Sequence, residues 1–192
     1  LASWGFIVIG NEDPSTYSGS SADTTLAWLL NENENPDSRF YQKVDTEHIG
    51  ISGHSQGGVG VFNAISEQPH SNLYTCAVSL SPTQQDLAEA LKIPYDPTKT
   101  QIPTMVLVSV ENDVITPEGA QKLYDAIDAR KVLALHTDVD HGKMLYSADG
   151  YVTAWFLWLL KDDAQAAKVF TGDSPELLSN PLYQEQQIDM AA

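Results

Sequence analysis

The stretch Ile49-Gly50-Ile51-Ser52-Gly53-His54-Ser55-Gln56-Gly57-Gly58 constrains this chain more than any other. Its apolar start, Ile49 to Ser52, predicts a short buried strand, and Gly58 to Glu67 predicts a helix. Gly53-x-Ser55-x-Gly57 joins the two, and strand, G-x-S-x-G, helix is the context of a nucleophile elbow. A serine on so tight a turn holds strained backbone angles, so its neighbours two before and two after must lack bulky Cβ groups; Gly53 and Gly57 meet that need. The turn lifts Ser55 Oγ above the sheet at the positive end of the following helix. The backbone N–H of Gln56 then faces the place where an oxyanion would form. A Gly-rich turn with an incidental serine is the alternative, and the flanking strand and helix weigh against it.

The flanking sequence alternates between strand and helix patterns. Phe6-Ile7-Val8-Ile9 reads as a strand, and Ala22 to Asn33 as a helix with Leu26, Leu29 and Leu30 on one face and Ser21 or Asp23 as its cap. Cys76 to Leu80 reads as a strand ending at Ser81-Pro82. Thr104 to Val110 is apolar almost throughout, as a strand covered on both faces should be. Thr116-Pro117-Glu118 opens a helix that runs to about Ala129. Val132 to His136 is a last strand, and Ser147 to Leu160 a helix whose Trp155, Phe156, Trp158 and Leu159 face the sheet. Residues 171–192 are polar, carry two prolines and read as an irregular tail after a catalytic domain spanning 1–170. The alternation predicts an α/β fold: a mostly parallel sheet with helices on both faces.

Charge and cysteine usage exclude some partners. With 26 acidic against 10 basic residues the net charge is −16, which argues against nucleic acid and anionic membrane surfaces. No apolar run approaches a membrane span. The single cysteine, Cys76, allows no internal disulfide and no thiolate metal cluster, and it reads as an inert core residue. Leu1-Ala2-Ser3 resembles neither an initiator nor a signal peptide, so upstream sequence is expected to be missing and the fold N-terminally incomplete.

Ligands of parallel sheets bind at the carboxyl ends of strands. Three such ends carry the candidate chemistry: Ser55 after the elbow strand, Glu111-Asn112-Asp113 after the long strand, and Asp138-Val139-Asp140-His141-Gly142 after the last. A serine hydroxyl needs an imidazole to take its proton and a carboxylate to fix the imidazole tautomer. Ser55, Asp113 and His141 follow the chain order Ser, acid, His found on this fold. Glu111, Asp138 and Asp140 compete with Asp113 for the acid role, but Asp113 has the better position. His54 is expected beside the site, His136 in a structural role, and His48 and His70 in solvent.

At this point the chain resembles a known family. Leu1-Ala2-Ser3-Trp4-Gly5-Phe6, Lys43-Val44-Asp45-Thr46, Gly53 to Gly58, Glu111-Asn112-Asp113 and Asp140-His141-Gly142 look like the cutinase-like polyester hydrolases, bacterial α/β-hydrolases that include the poly(ethylene terephthalate) hydrolases. The resemblance runs from the first residue to about Leu160. It implies an α/β-hydrolase fold, secretion, cleavage of short-chain esters and polyesters, and an acyl-serine intermediate, with Ser55, Asp113 and His141 on the family's triad. Gln56 takes the usual methionine position, with its backbone N–H as one oxyanion donor. The second donor is expected upstream of this chain, on a third strand that belongs between Phe6–Ile9 and Ile49–Ser52; a second polypeptide could supply it. The place where the family commonly carries a tryptophan, an aromatic clamp for the acyl group, reads Ser81-Pro82-Thr83, and Ser81 and Pro82 join His54 as substrate-pocket candidates. No metal or organic cofactor is implied. The alternatives are a lipase, a dienelactone hydrolase-like esterase, or a non-catalytic hydrolase-like binding module.

Overall fold

A computed structural model describes residues 1–191 of the chain. Five strands, β1 (Ile49–His54), β2 (Tyr74–Leu80), β3 (Thr104–Glu111), β4 (Lys131–Asp140) and β5 (Tyr183–Asp189), form one sheet in that spatial order. The helices are α1 (Ser20–Glu34), α2 (Gln56–Glu67), α3 (Gln85–Ala90), α4 (Pro117–Ala126), α5 (Met144–Ser147), α6 (Asp149–Lys161) and α7 (Ala164–Ala167). The first four strands are parallel, and β5 returns antiparallel against β4. Parallel neighbours need a crossover rather than a tight turn. The segments carrying α2, α3 and α4 supply those crossovers.

Side-chain alternation along β3 and β4 divides the core in two, because successive residues of a strand point to opposite faces. Met105, Leu107, Val132 and Ala134 point to the face covered by α6, where Trp155 and Phe156 pack with Phe170 and Leu177. Val106, Val108, Leu133 and Leu135 point to the other face, against Val59 and Phe62 of α2 and Ala120 and Leu123 of α4. A sheet buried on both faces explains why Thr104 to Val110 reads as a nearly continuous apolar run. Trp158 and Leu159 of α6 are partly buried against the first of these clusters. Cys76 is fully buried, and that burial pushes its thiol well above the ordinary range.

Several elements differ from their sequence reading. Phe6–Ile9 forms no strand; it has no ladder partner among the described residues, and Ile7, Val8 and Ile9 stay exposed. With the outer edge of β1 it borders a cleft of about 590 Å³ lined by Ile7, Val8, Ile9, Ile49 and Ile51. The cap of α1 is Gly19 at φ 75°, not Ser21 or Asp23. The Asp23 carboxylate accepts from the backbone N–H and ring Nδ1 of His70, both at 2.9 Å, so His70 is paired rather than solvated. The strand at Val132 continues to Asp140, and the polar tail, read as irregular, contains β5. Polarity misleads there because an edge strand exposes alternate residues to water while Tyr183 turns inward. Its ring lies 4.5 Å from that of His136 and 5.0 Å from that of Tyr151.

Tyr183→Ala is therefore expected to lower unfolding free energy by about 3–5 kcal/mol, the range for a buried large aromatic. The exposed neighbour Leu182 changed to Ala should stay within about 0.5 kcal/mol. Urea titration of both variants checks the contrast.

Candidate active site

The parallel register brings four strand ends into one row. His54 pairs with Leu80, and Leu80 with Leu107. Ser55 N–H then donates to Leu80 O at 2.9 Å, and Ser81 N–H to Leu107 O at 2.8 Å. Between β3 and β4 the register slips: Ser109 faces His136, but Glu111 faces Asp140. While β3 advances two residues, β4 advances four, and Asp138 takes a left-handed φ of 61° in the bulge. The bulge carries the chain past His136 and sets His141 down beyond the end of β3, where Asp113 waits. Asn112, at φ 47°, turns the chain immediately before Asp113.

Ser55 sits at φ 59°, ψ −120°, a sparsely populated conformation for a residue with a side chain. A Cβ on Gly53 would lie 2.1 Å from the carbonyl oxygen of Gly57, so only glycine fits there. Gly57 itself is different, since a Cβ would meet nothing nearer than Thr16 Oγ1 at 3.7 Å. The expected crowding on both sides of the serine is thus real on one side only. Gln56 is the first residue of α2, and the leading N–H groups of a helix have no intrahelical acceptor. The Ser55 hydroxyl has no hydrogen-bond partner among the described residues. The expectation of a second oxyanion donor upstream of Leu1 falls outside the described residues.

The acid and the imidazole do meet. His141 Nδ1 lies 2.8 Å from Asp113 Oδ1, and the Asp113 side chain is 1% exposed. A carboxylate accepts only, so Nδ1 carries the proton in this pair, the tautomer whose other nitrogen, Nε2, can take a proton. Asp113 Oδ1 also accepts from Val114 N–H at 2.7 Å. Oδ2 accepts from Ser109 N–H at 2.8 Å, Ser109 Oγ at 2.7 Å and Ser81 Oγ at 2.5 Å. Of the competing acids, Glu111 and Asp138 are exposed, and Asp140 turns to Lys143, accepting from its backbone N–H at 3.0 Å.

His54 lies between the two halves of the site. Its Nε2 donates to the backbone carbonyl of His141 at 2.7 Å, and the two rings are 4.5 Å apart. Burial pushes the His54 imidazole below its ordinary value, against the opposing pull of the His141 carbonyl. Ser81 and Pro82, expected beside substrate, are both buried. Ser81 is wholly inaccessible, with its hydroxyl on Asp113, and Pro82 packs under the start of α2, where a Cβ on Gly58 would come within 3.1 Å of its Cα. Among the described residues, no group of three or more His, Cys, Asp or Glu side chains is placed to hold a metal ion.

The sequence reading missed Ser81 and Ser109 as donors to the acid. A polar residue inside an otherwise apolar strand, four positions before Asp113, was the available signal for Ser109. Ser81 is legible only once β2 and β3 are in register.

A mostly parallel sheet covered on both faces, with a strained serine at the β1–α2 turn, defines the chain as an α/β-hydrolase. A family model described as PET hydrolase-like matches residues 1–184, and the chain belongs to that family. It is therefore a hydrolase. A search of curated proteins finds no match.

Two outcomes test the local geometry. Gly53→Ala should cost about 1–3 kcal/mol through overpacking, whereas Gly57→Ala, inside a helix, should be neutral or stabilise by up to about 1 kcal/mol; denaturant midpoints decide this. The second concerns pH. His54 stays neutral in the folded protein below the ordinary histidine value of about 6.5, while the unfolded chain takes up a proton there. Stability therefore falls as pH drops from about 6.5 towards the depressed folded value. His54→Gln should flatten that part of the stability profile; an unchanged profile would show that His54 titrates alike in both states.

Proposed function

We propose that this chain is a serine carboxylic-ester hydrolase that cleaves short-chain esters and polyesters through an acyl-serine intermediate. The observation that carries this reading is the 2.8 Å pairing of His141 with the buried Asp113 carboxylate, on the loop that His54 ties to the Ser55 elbow. His141 Nε2 takes the Ser55 proton as Oγ attacks the ester carbonyl, and Asp113 stabilises the imidazolium that forms. The Gln56 N–H faces the developing oxyanion, where a fixed donor lowers the barrier without reorganising. Collapse expels the alcohol, which leaves with the proton from His141. Water, deprotonated by the same imidazole, then attacks the acyl carbonyl; the acid leaves and Ser55 regains its proton. Only side chains, the backbone and water take part. Hydrogen bonds to catalytic nucleophiles are often unformed before substrate binds, so the unpartnered Ser55 hydroxyl is compatible with this sequence of steps.

Membership of the PET hydrolase-like family supports polyester as one substrate class. A chromogenic short-chain ester and a polyester film test the two classes separately. Both should be hydrolysed by the native protein, with release rates falling to background in Ser55→Ala. Asp113→Asn should lower kcat by about 10⁴, the size seen when a triad carboxylate is replaced by its amide elsewhere, with little change in unfolding free energy. Near-normal turnover in Asp113→Asn, with loss of activity in Asp138→Asn or Asp140→Asn, would assign the acid role elsewhere.

A further inference from the structure

We infer that Ser81 and Ser109 are positioning residues, whose hydroxyls fix the Asp113 carboxylate in the rotation that presents Oδ1 to His141. The inference rests on the hydrolase reading above and names two residues that act through the acid.

The two oxygens of a free carboxylate are equivalent, and its terminal torsion is broad and roughly two-fold. Something must decide which oxygen faces the imidazole and at what tilt. At Asp113 the donors are divided: Oδ1 receives His141 Nδ1 and Val114 N–H, while Oδ2 receives Ser109 N–H and both serine hydroxyls. Two hydroxyls on Oδ2 resist rotation about the terminal bond. Backbone N–H groups alone would leave only Val114 and Ser109 to do so.

Each serine carries its own evidence. Ser81 is wholly buried at φ 42°, a left-handed backbone that glycine adopts freely and a serine does not. Its hydroxyl has one partner among the described residues, Asp113 Oδ2 at 2.5 Å. Strained, buried and committed to the acid, this side chain has no other visible task. Ser109 is 1% exposed in a strand whose preceding residues Met105 to Val108 are all apolar. Its hydroxyl lies 2.7 Å from Asp113 Oδ2 and 3.2 Å from Glu111 O, and the shorter, charge-assisted bond is the stronger one.

Ser81→Gly and Ser109→Ala test this independently. Glycine accepts the backbone at position 81, so that variant keeps its fold even where Ser109→Ala is weakened. Thr104→Val serves as the control: it removes a fully buried hydroxyl at the far end of the same β3, one that donates to Ile102 O. Kinetics on a chromogenic ester should show kcat lower by about 10- to 100-fold in each serine variant, the equivalent of one hydrogen bond to a charged group, with KM little changed. In proton NMR, the downfield His141 Nδ1 proton of the native protein should shift or broaden in both serine variants and stay unchanged in Thr104→Val. Wild-type kcat together with an unchanged Nδ1 proton in Ser81→Gly and Ser109→Ala would overturn the inference. So would equal losses in Thr104→Val. The NMR measurement needs no turnover: a native protein inactive on every ester would refute the proposed ester-hydrolase reading, while the Nδ1 proton would still decide the role of the two serines.

Discussion

The parallel hydrogen-bond ladder from β1 to β4 is the constraint on which the rest of this molecule depends. Parallel strands in register end on the same side of the sheet, so residues from distant parts of the sequence arrive side by side. Ser55, Ser81, Asp113 and His141 leave four successive strands in spatial order. The ladder alone would set Asp138, rather than Asp140, opposite Glu111 at the end of β3. The bulge at Asp138 corrects this by letting β4 run two residues further than β3. Bulges re-aim a side chain in this way at the cost of local ladder bonds.

Burying a carboxylate is unfavourable unless its lone pairs are filled. Asp113 is almost fully enclosed and accepts five hydrogen bonds, one from the imidazole and four from its own surroundings. Besides the imidazole, the donors come from the residue after β2, from β3 and from the loop beyond β3, so the acid can be held this way only when both strands are in place. His54 extends the same network to β1, through the backbone of the His141 loop rather than through its ring nitrogens. The site is thus braced from three strands, while the Ser55 hydroxyl at the elbow has no hydrogen-bond partner among the described residues.

Much of this was legible in the sequence, for identifiable reasons. The elbow announced itself because Gly53 cannot be replaced: its missing Cβ makes room for the Gly57 carbonyl. The β3 strand announced itself because it is covered on both faces. The failures are equally physical. Phe6–Ile9 has strand propensity but no ladder partner among the described residues, and propensity alone does not make a strand. The second edge strand, Tyr183–Asp189, was hidden by its outward-facing Gln and Glu residues. Asp23 looked like a helix cap, yet its carboxylate serves His70, 47 positions away. Ser81 looked like a substrate contact because it follows the strand after the elbow, but its left-handed backbone turns the hydroxyl inward to the acid. Each of these depends on what lies across the sheet or across a helix interface, which no local pattern carries.

The most direct measurement of the central claim is where the acyl group goes. Reaction with a chromogenic ester, quenched in acid within the first turnover and followed by peptide mass mapping, locates any covalent intermediate. The expected result is one acyl group on the peptide containing Ser55, absent from the Ser55→Ala protein. An acyl group on another side chain, or full turnover by Ser55→Ala, would contradict the assignment of this elbow as the reacting centre.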